Sequence, residues 1–237
     1  MSLFHFKEFV IDQENCPMKI NTDAVLLGAL ADVEEVKTII DIGTGTGVIA
    51  LMLAQRNHQA IIDGIDIDLT AFEKASLNFN NSLFHERLKS HHFGFVEFFE
   101  HHPQNKYDLM VSNPPYFLNA LKSPKDNKNI SKHTNEQFFF DLLRVANHYL
   151  NDKGSLQIIV PVEISLMLQE LAPDFSLYPN ECYKIRSFAD KATIRHIISF
   201  SKNKNADLVF NDFCIYAKQG IHSPEYISAL KNFFTIF

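Results

Sequence analysis

A short apolar strand that runs into three closely spaced glycines and then a helix constrains this chain more than any other feature. Lys37–Ile42 (KTIIDI) has strand length, Gly43, Gly45 and Gly47 close it, and Val48–Arg56 (VIALMLAQR) reads as a buried helix. The alternation continues with a strand at Ala60–Ile65, a helix at Leu69–Asn81, a weak strand near Ser90–Phe93 and a strong strand at Tyr107–Ser112 that stops at Pro-Pro. A polar stretch, Leu121–Asn135, reads as a basic loop. After it come a helix at Glu136–Leu150, a turn at Asn151–Gly154, a strand at Ser155–Val160 and a helix at Ile164–Leu171. Tyr183–Ser187, Ile194–Ser201 and Leu208–Tyr216 are strand-like with little helix between them, and Ser223–Phe234 closes as a helix with Ser223 as its cap and Pro224 at its first position. Strand–helix alternation predicts an α/β fold, a parallel sheet with right-handed crossovers and helices on both faces. The late strands predict an antiparallel addition at one edge. Residues 1–35 read as an N-terminal extension packing on the site, and 36–237 as a single domain.

Composition narrows the function classes. With 46% hydrophobic residues, 21% charged, and only 8 glycines and 9 prolines, fibrous and disordered classes are excluded. The formal net charge of -6 argues against a protein that coats nucleic acid nonspecifically, and leaves room for a local basic patch. Three distant cysteines, Cys16, Cys182 and Cys214, form neither a disulfide framework nor a metal-binding pair. The N-terminus has no signal-peptide pattern, and no apolar run reaches the roughly 18 residues of a spanning helix. The chain reads as soluble and cytoplasmic, with reduced thiols.

The glycine loop, Asp41-Ile42-Gly43-Thr44-Gly45-Thr46-Gly47, has GxGxG spacing where dinucleotide binders favour GxGxxG. A pyrophosphate needs the open helix N-terminus. A nucleoside with an amino-acid tail can be held by a tighter loop and a strand-end carboxylate. Asp41 can accept hydrogen bonds from an ammonium, and Asp66, at the end of the second strand, can take both hydroxyls of a ribose. A bare strand–helix turn would use the same glycines; it would not require Asp66. Asp68 suits the cap of the helix from Leu69.

The fourth strand ends in Asn113-Pro114-Pro115-Tyr116. Two prolines stiffen the backbone and remove two N–H donors, so the Asn113 amide and the Pro114 carbonyl are two fixed acceptors for the hydrogens of an –NH2 group. Tyr116 offers a ring face for a flat substrate.

DIGTGTG, GIDID and NPPY together resemble class I S-adenosylmethionine-dependent amino-methyltransferases, which implies a Rossmann-like, mostly parallel seven-stranded sheet. Phe4-His5-Phe6-Lys7-Glu8-Phe9 and Met18–Gly28 (MKINTDAVLLG) are similar to the bacterial family that methylates N6 of adenine 37 in valine tRNA. The likeness runs from about Phe4 to Pro161. It implies S-adenosylmethionine as cofactor, with Asp41, Gly43 and Gly45 lining its pocket, Asp66 on its ribose, and Thr22 and Asp23 closing over its amino-acid end. It implies that Asn113 and Pro114 hold the target amine while Tyr116 stacks on the base. One departure is that such enzymes often carry an acid after the third strand, against the cofactor's adenine, where this chain has Phe93-Gly94-Phe95.

Lys122, Lys125, Lys128 and Lys132, followed by His133 and opposed by one acid, Asp126, suit phosphate contacts beside the site. Lys184, Arg186, Lys191, Arg195 and His196, on the late strands, read as edge charges that prevent aggregation. Of 11 histidines, His91-His92 and His101-His102 are adjacent pairs that point to opposite sides, so no metal is expected. The expected activity is N6-adenine methylation of tRNA by a monomer. The alternatives are glutamine N5-methylation of a release factor, rRNA or DNA amino-methylation, and a catalytically silent binding module on the same fold.

Overall fold

The computed structural model describes residues 2–114, 125–205 and 207–237, and only the backbone within 125–135. β1 (Leu3–His5) and β2 (Val10–Asp12) form an antiparallel hairpin, followed by α1 (Thr22–Leu30). The alternating part comprises β3 (Thr38–Ile42), α2 (Val48–Arg56), β4 (Ile61–Asp66), α3 (Leu69–Asn80), β5 (Leu88–His92), α4 (Phe95–His101), β6 (Tyr107–Ser112), α5 (Lys125–Tyr149), β7 (Leu150–Val160) and α6 (Val162–Leu171). It is followed by β8 (Tyr178–Phe188), β9 (Thr193–Ser201), β10 (Val209–Lys218), β11 (Ile221–His222) and α7 (Pro224–Leu230).

Nine strands form the main sheet in the order β11-β10-β8-β9-β7-β6-β3-β4-β5 among the described residues. The order from β5 to β8 supplies the seven strands expected, and β10 and β11 extend that edge. Only β9 and β11 run against the rest: β9 is antiparallel to β7 and β8, β11 to β10, while β10 is parallel to β8. The late strands are therefore a mixed addition rather than a purely antiparallel one, and β9 is an interior strand.

Alternation of side chains across the pleat explains why the central strands are apolar throughout. Ile39, Leu109, Val111 and Ile159 pack into a core with α1 and α2 on one face. Ile40, Ile42, Met110, Ile158 and Val160 pack into a second core with α4, α5 and α6 on the other. Asn21 caps α1 by accepting from the Ala24 N–H at 2.9 Å, and Asp68 caps α3 in the same way through Ala71.

Several elements depart from the sequence reading: β7 begins at Leu150 and takes in Asn151–Gly154, read as a turn, α7 ends at Leu230 rather than Phe234, and two other helices differ. α4 was not expected, because its buried pair, Phe98 and Phe99, is adjacent and shows no helical period. α5 starts at Lys125, not Glu136, so Lys125, Lys128 and Lys132 stand on a helical backbone and not in a loop. The physical reason is that no glycine or proline follows Pro124 before Tyr149, and a polar run without breakers can remain helical.

Candidate active site

The site begins with a register. Ile42 of β3 pairs with Ile65 of β4 and with Ser112 of β6, so three neighbouring strands end in one row. The Ser112 hydroxyl ties that row by donating to the Ile42 carbonyl at 2.8 Å. Gly43, Asp66 and Asn113 are each one residue beyond it. Ligands bind at such carboxyl ends in α/β sheets.

Gly43 (φ 74°) and Gly45 (φ 58°) are both in the left-handed region, and a Cβ added at either would meet nothing within 4 Å. Among the described residues their backbone is an open cradle with room for a ligand. Asp41 lies beneath it, with no exposed surface. Its Oδ2 accepts from the Thr44 hydroxyl at 2.7 Å, and its Oδ1 is buried without a hydrogen-bond partner among the described residues. Burial pushes the Asp41 carboxyl up to about 7; the nearby Asp66 adds to the shift, while the Thr44 hydroxyl and the Ala50 amide oppose it. An orphaned buried acceptor invites a donor that carries positive charge.

Asp66 accepts from the Gly45 N–H through Oδ2 and from the Asp68 N–H through Oδ1, both at 2.9 Å. These bonds fix its carboxylate against the glycine loop and leave further acceptor capacity on each oxygen. Burial also raises its pKa. Beside it, Ile67 is 75% exposed, and a Cβ on Gly94 would lie 3.5 Å from its Cδ1. The position where an acid is often found thus borders an apolar side chain.

A cavity of about 360 Å³ opens between the start of α1 (Asn21, Thr22, Asp23), Asn113 and Pro114, with Met18 and Arg195 completing its wall. Thr22, Asp23, Asn113 and Pro114, far apart in sequence, are therefore brought together, while Asp41, Gly43, Gly45 and Asp66 form the adjoining loop set. Tyr116 and Lys122 lie outside the described residues, as do the side chains of Lys125, Lys128 and Lys132. Sequence reasoning missed Arg195. Its Nε donates to Asp23 Oδ2 at 2.8 Å, across 172 positions of chain. Assigning it to a sheet edge hid this, because β9 lies inside the sheet; the signal available was an arginine at the strand start nearest the parallel strands' carboxyl ends.

Among the described residues no group of three or more His, Cys, Asp or Glu side chains could hold a metal ion. His91 bonds Asp63 at 2.7 Å while its neighbour His92 bonds the Ile67 carbonyl at 3.1 Å. Likewise, no described helix is long and apolar enough to cross a membrane.

This sheet order, with a glycine cradle over a buried acid at the strand ends, defines a class I methyltransferase fold. Solved structures agree on the fold: a protein of Agrobacterium tumefaciens described as a predicted O-methyltransferase superposes with a TM-score of 0.68 at 19% identity, covering 89% of this chain and 96% of its own. A methyltransferase from Pyrococcus furiosus gives 0.58 at 20% identity, covering 81% and 89%. The family model of the methyltransferase small domain matches residues 21–171. Proteins named tRNA1(Val) (adenine(37)-N6)-methyltransferase are similar over nearly the whole chain. The one from Pedobacter heparinus is 41% identical over 234 residues, covering 99% of this chain and 98% of its own. Those from Dyadobacter fermentans and Trichodesmium erythraeum are 38% and 39% identical, each covering at least 97% of both chains. This chain belongs to the methyltransferase small domain family and, within it, to the family of these relatives.

Proposed function

We propose that this enzyme methylates N6 of an adenine in tRNA, adenine 37 of the anticodon loop of valine tRNA, with S-adenosylmethionine as methyl donor. The observation that carries the reading is the placement of Asn113 and Pro114 in the wall of a cavity, with Asn113 at the same strand-end level as Gly43 and Asp66. The names of the relatives support the choice of substrate.

S-adenosylmethionine, when bound, supplies an electrophilic methyl group. The residues at hand fit it: Asp41 has an unpartnered acceptor for an ammonium, Gly43 and Gly45 leave open backbone, and Asp66 presents a fixed carboxylate to a ribose. Thr22 and Asp23 would close over its amino-acid end, and Ile67 would pack its adenine in place of an acidic contact. Asn113 and the Pro114 carbonyl accept the two hydrogens of the target amine, turning the nitrogen lone pair out of conjugation with the ring. The same acceptors stabilise positive charge as it develops on that nitrogen, so catalysis comes from positioning and preorganised dipoles. No strong base is required, because the methylated nitrogen releases its proton readily. Tyr116 stacks on the base, and Lys122, Lys125, Lys128 and Lys132 meet RNA phosphates.

The test is transfer of labelled methyl from S-adenosylmethionine to unmodified tRNA, followed by digestion and mass spectrometry, with a release factor as the parallel acceptor. Label in N6-methyladenosine supports the reading; label in the release factor sinks it. Asn113→Ala is expected to abolish turnover and leave cofactor affinity nearly intact. An active variant would remove Asn113 from the mechanism.

A further inference from the structure

We propose that Arg195 is a positioning residue for the acceptor cavity, acting through Asp23. The proposal rests on the functional reading above and adds to it the residue that sets the shape of the site. Arg195 stands two residues past the first residue of β9, Thr193, and in register with Ile185 of the interior strand β8. Asp23 stands in the first turn of α1. Their ion pair, at 2.8 Å, belongs to the cavity wall that also includes Asn113 and Pro114, and both side chains are about three-quarters shielded (26% and 20% exposed). A second guanidinium nitrogen of Arg195 donates to its neighbour's carbonyl, that of Ile194, at 2.9 Å, which fixes the plane of the group. Shielding and double anchoring make this unlike the loose surface pairs that contribute little. Asn21, Thr22 and Asp23 all belong to the start of α1, so the pair ties that turn to β9, whose Ile197 lies in the same core as α1. The width of the cavity between Thr22 and Asn113 is then a consequence of the Arg195–Asp23 bond. A planar amine is held in one pose only if that width is fixed.

The experiment compares wild type, Arg195→Ala, Arg195→Lys, Asp23→Asn and the Arg195→Ala/Asp23→Asn double variant. For Arg195→Ala, kcat on tRNA is expected to fall about tenfold or more, while KM for tRNA changes less than about threefold. Lysine should restore part of the loss, and the double variant should be no worse than the worse single one, because both changes break one bond. Hydrogen exchange read by mass spectrometry should show faster exchange at the start of α1 in Arg195→Ala and no change in α2. Unchanged exchange at α1, or additive losses in the double variant, would overturn the proposal. If wild type fails to methylate tRNA, the functional reading falls by itself, and the exchange measurement still decides whether Arg195 positions α1.

Discussion

Asp41 is the residue at which burial and ligand chemistry oppose each other most directly. Its carboxyl is pushed up to about 7 from 3.8, chiefly by burial. The folded protein therefore holds a proton that the unfolded chain has released, over the window between those two values. Stability of the ligand-free protein should fall as pH rises through that window, with the loss complete above about 7. A cationic ligand reverses the preference, because it favours the ionised carboxylate. Calorimetric affinity for S-adenosylhomocysteine, which keeps the amino group, should be about tenfold weaker at pH 6 than at pH 8. Asp41→Asn should flatten both profiles; a wild-type affinity that does not vary with pH would dissociate Asp41 from the ligand's charge. Gly45 is a complementary case. Its φ of 58° and open surroundings mean that Gly45→Ala should cost folding only about 1 kcal/mol, the strain of a side chain in the left-handed region. The new methyl would occupy the cradle, so cofactor affinity should drop far more than stability does. Equal losses in a paired melting and binding experiment would mean that the loop serves folding alone.

At the scale of the element, the start of α2 is where local geometry and core packing coincide. Gly47 precedes the helix with φ 82°, and a Cβ there would lie 2.5 Å from Cε1 of Phe79, which is buried on α3. Gly47→Ala should therefore cost about 2–4 kcal/mol in urea denaturation, combining backbone strain with overpacking. A loss near that of Gly45→Ala would show that Phe79 can move. The same helix illustrates what sequence reading captures. Val48–Arg56 and Tyr107–Ser112 were legible to the residue, because a glycine cluster opens the first, a Pro-Pro stop closes the second, and both carry a mostly apolar run. The start of α5 was not, since its first turns carry no apolar period at all. Nor was the role of β9. Basic residues on a late strand look the same in sequence whether the strand is an edge or, as here, lies between β7 and β8. The glycine loop and the Asn113–Pro114 strand end were legible because their chemistry is local. Arg195 was not, because its partner Asp23 is supplied only by the tertiary fold.

The whole molecule shows why a site assembled from five separate segments can keep its dimensions. The two terminal segments close on each other on the α1/α2 face of the sheet: Phe6 bridges Phe234, the Lys7 N–H donates to the Phe233 carbonyl at 2.8 Å, and the Lys7 ammonium donates to the carbonyls of Lys231 and Phe237. Gln55, near the end of α2, donates to both Glu8 and the Asn232 carbonyl at 2.9 Å, so the helix that begins at the glycine loop is pinned at its other end by both termini. Phe6 is the hub of this closure, 4% exposed, stacked on Phe9 at 4.4 Å between centroids and 5.7 Å from Phe234. Phe6→Ala should lower unfolding free energy by about 3–5 kcal/mol, the usual cost of emptying a buried aromatic site. Phe6 is not part of the cavity wall, so at temperatures well below the new midpoint its loss should leave cofactor affinity and kcat on tRNA within about twofold of wild type, in contrast to the site variants. Urea denaturation together with binding and turnover on the same preparation separates the two effects. A large loss of affinity at full folding would mean that the terminal closure transmits through α2 to the glycine loop, and that stability and function share one element of this fold.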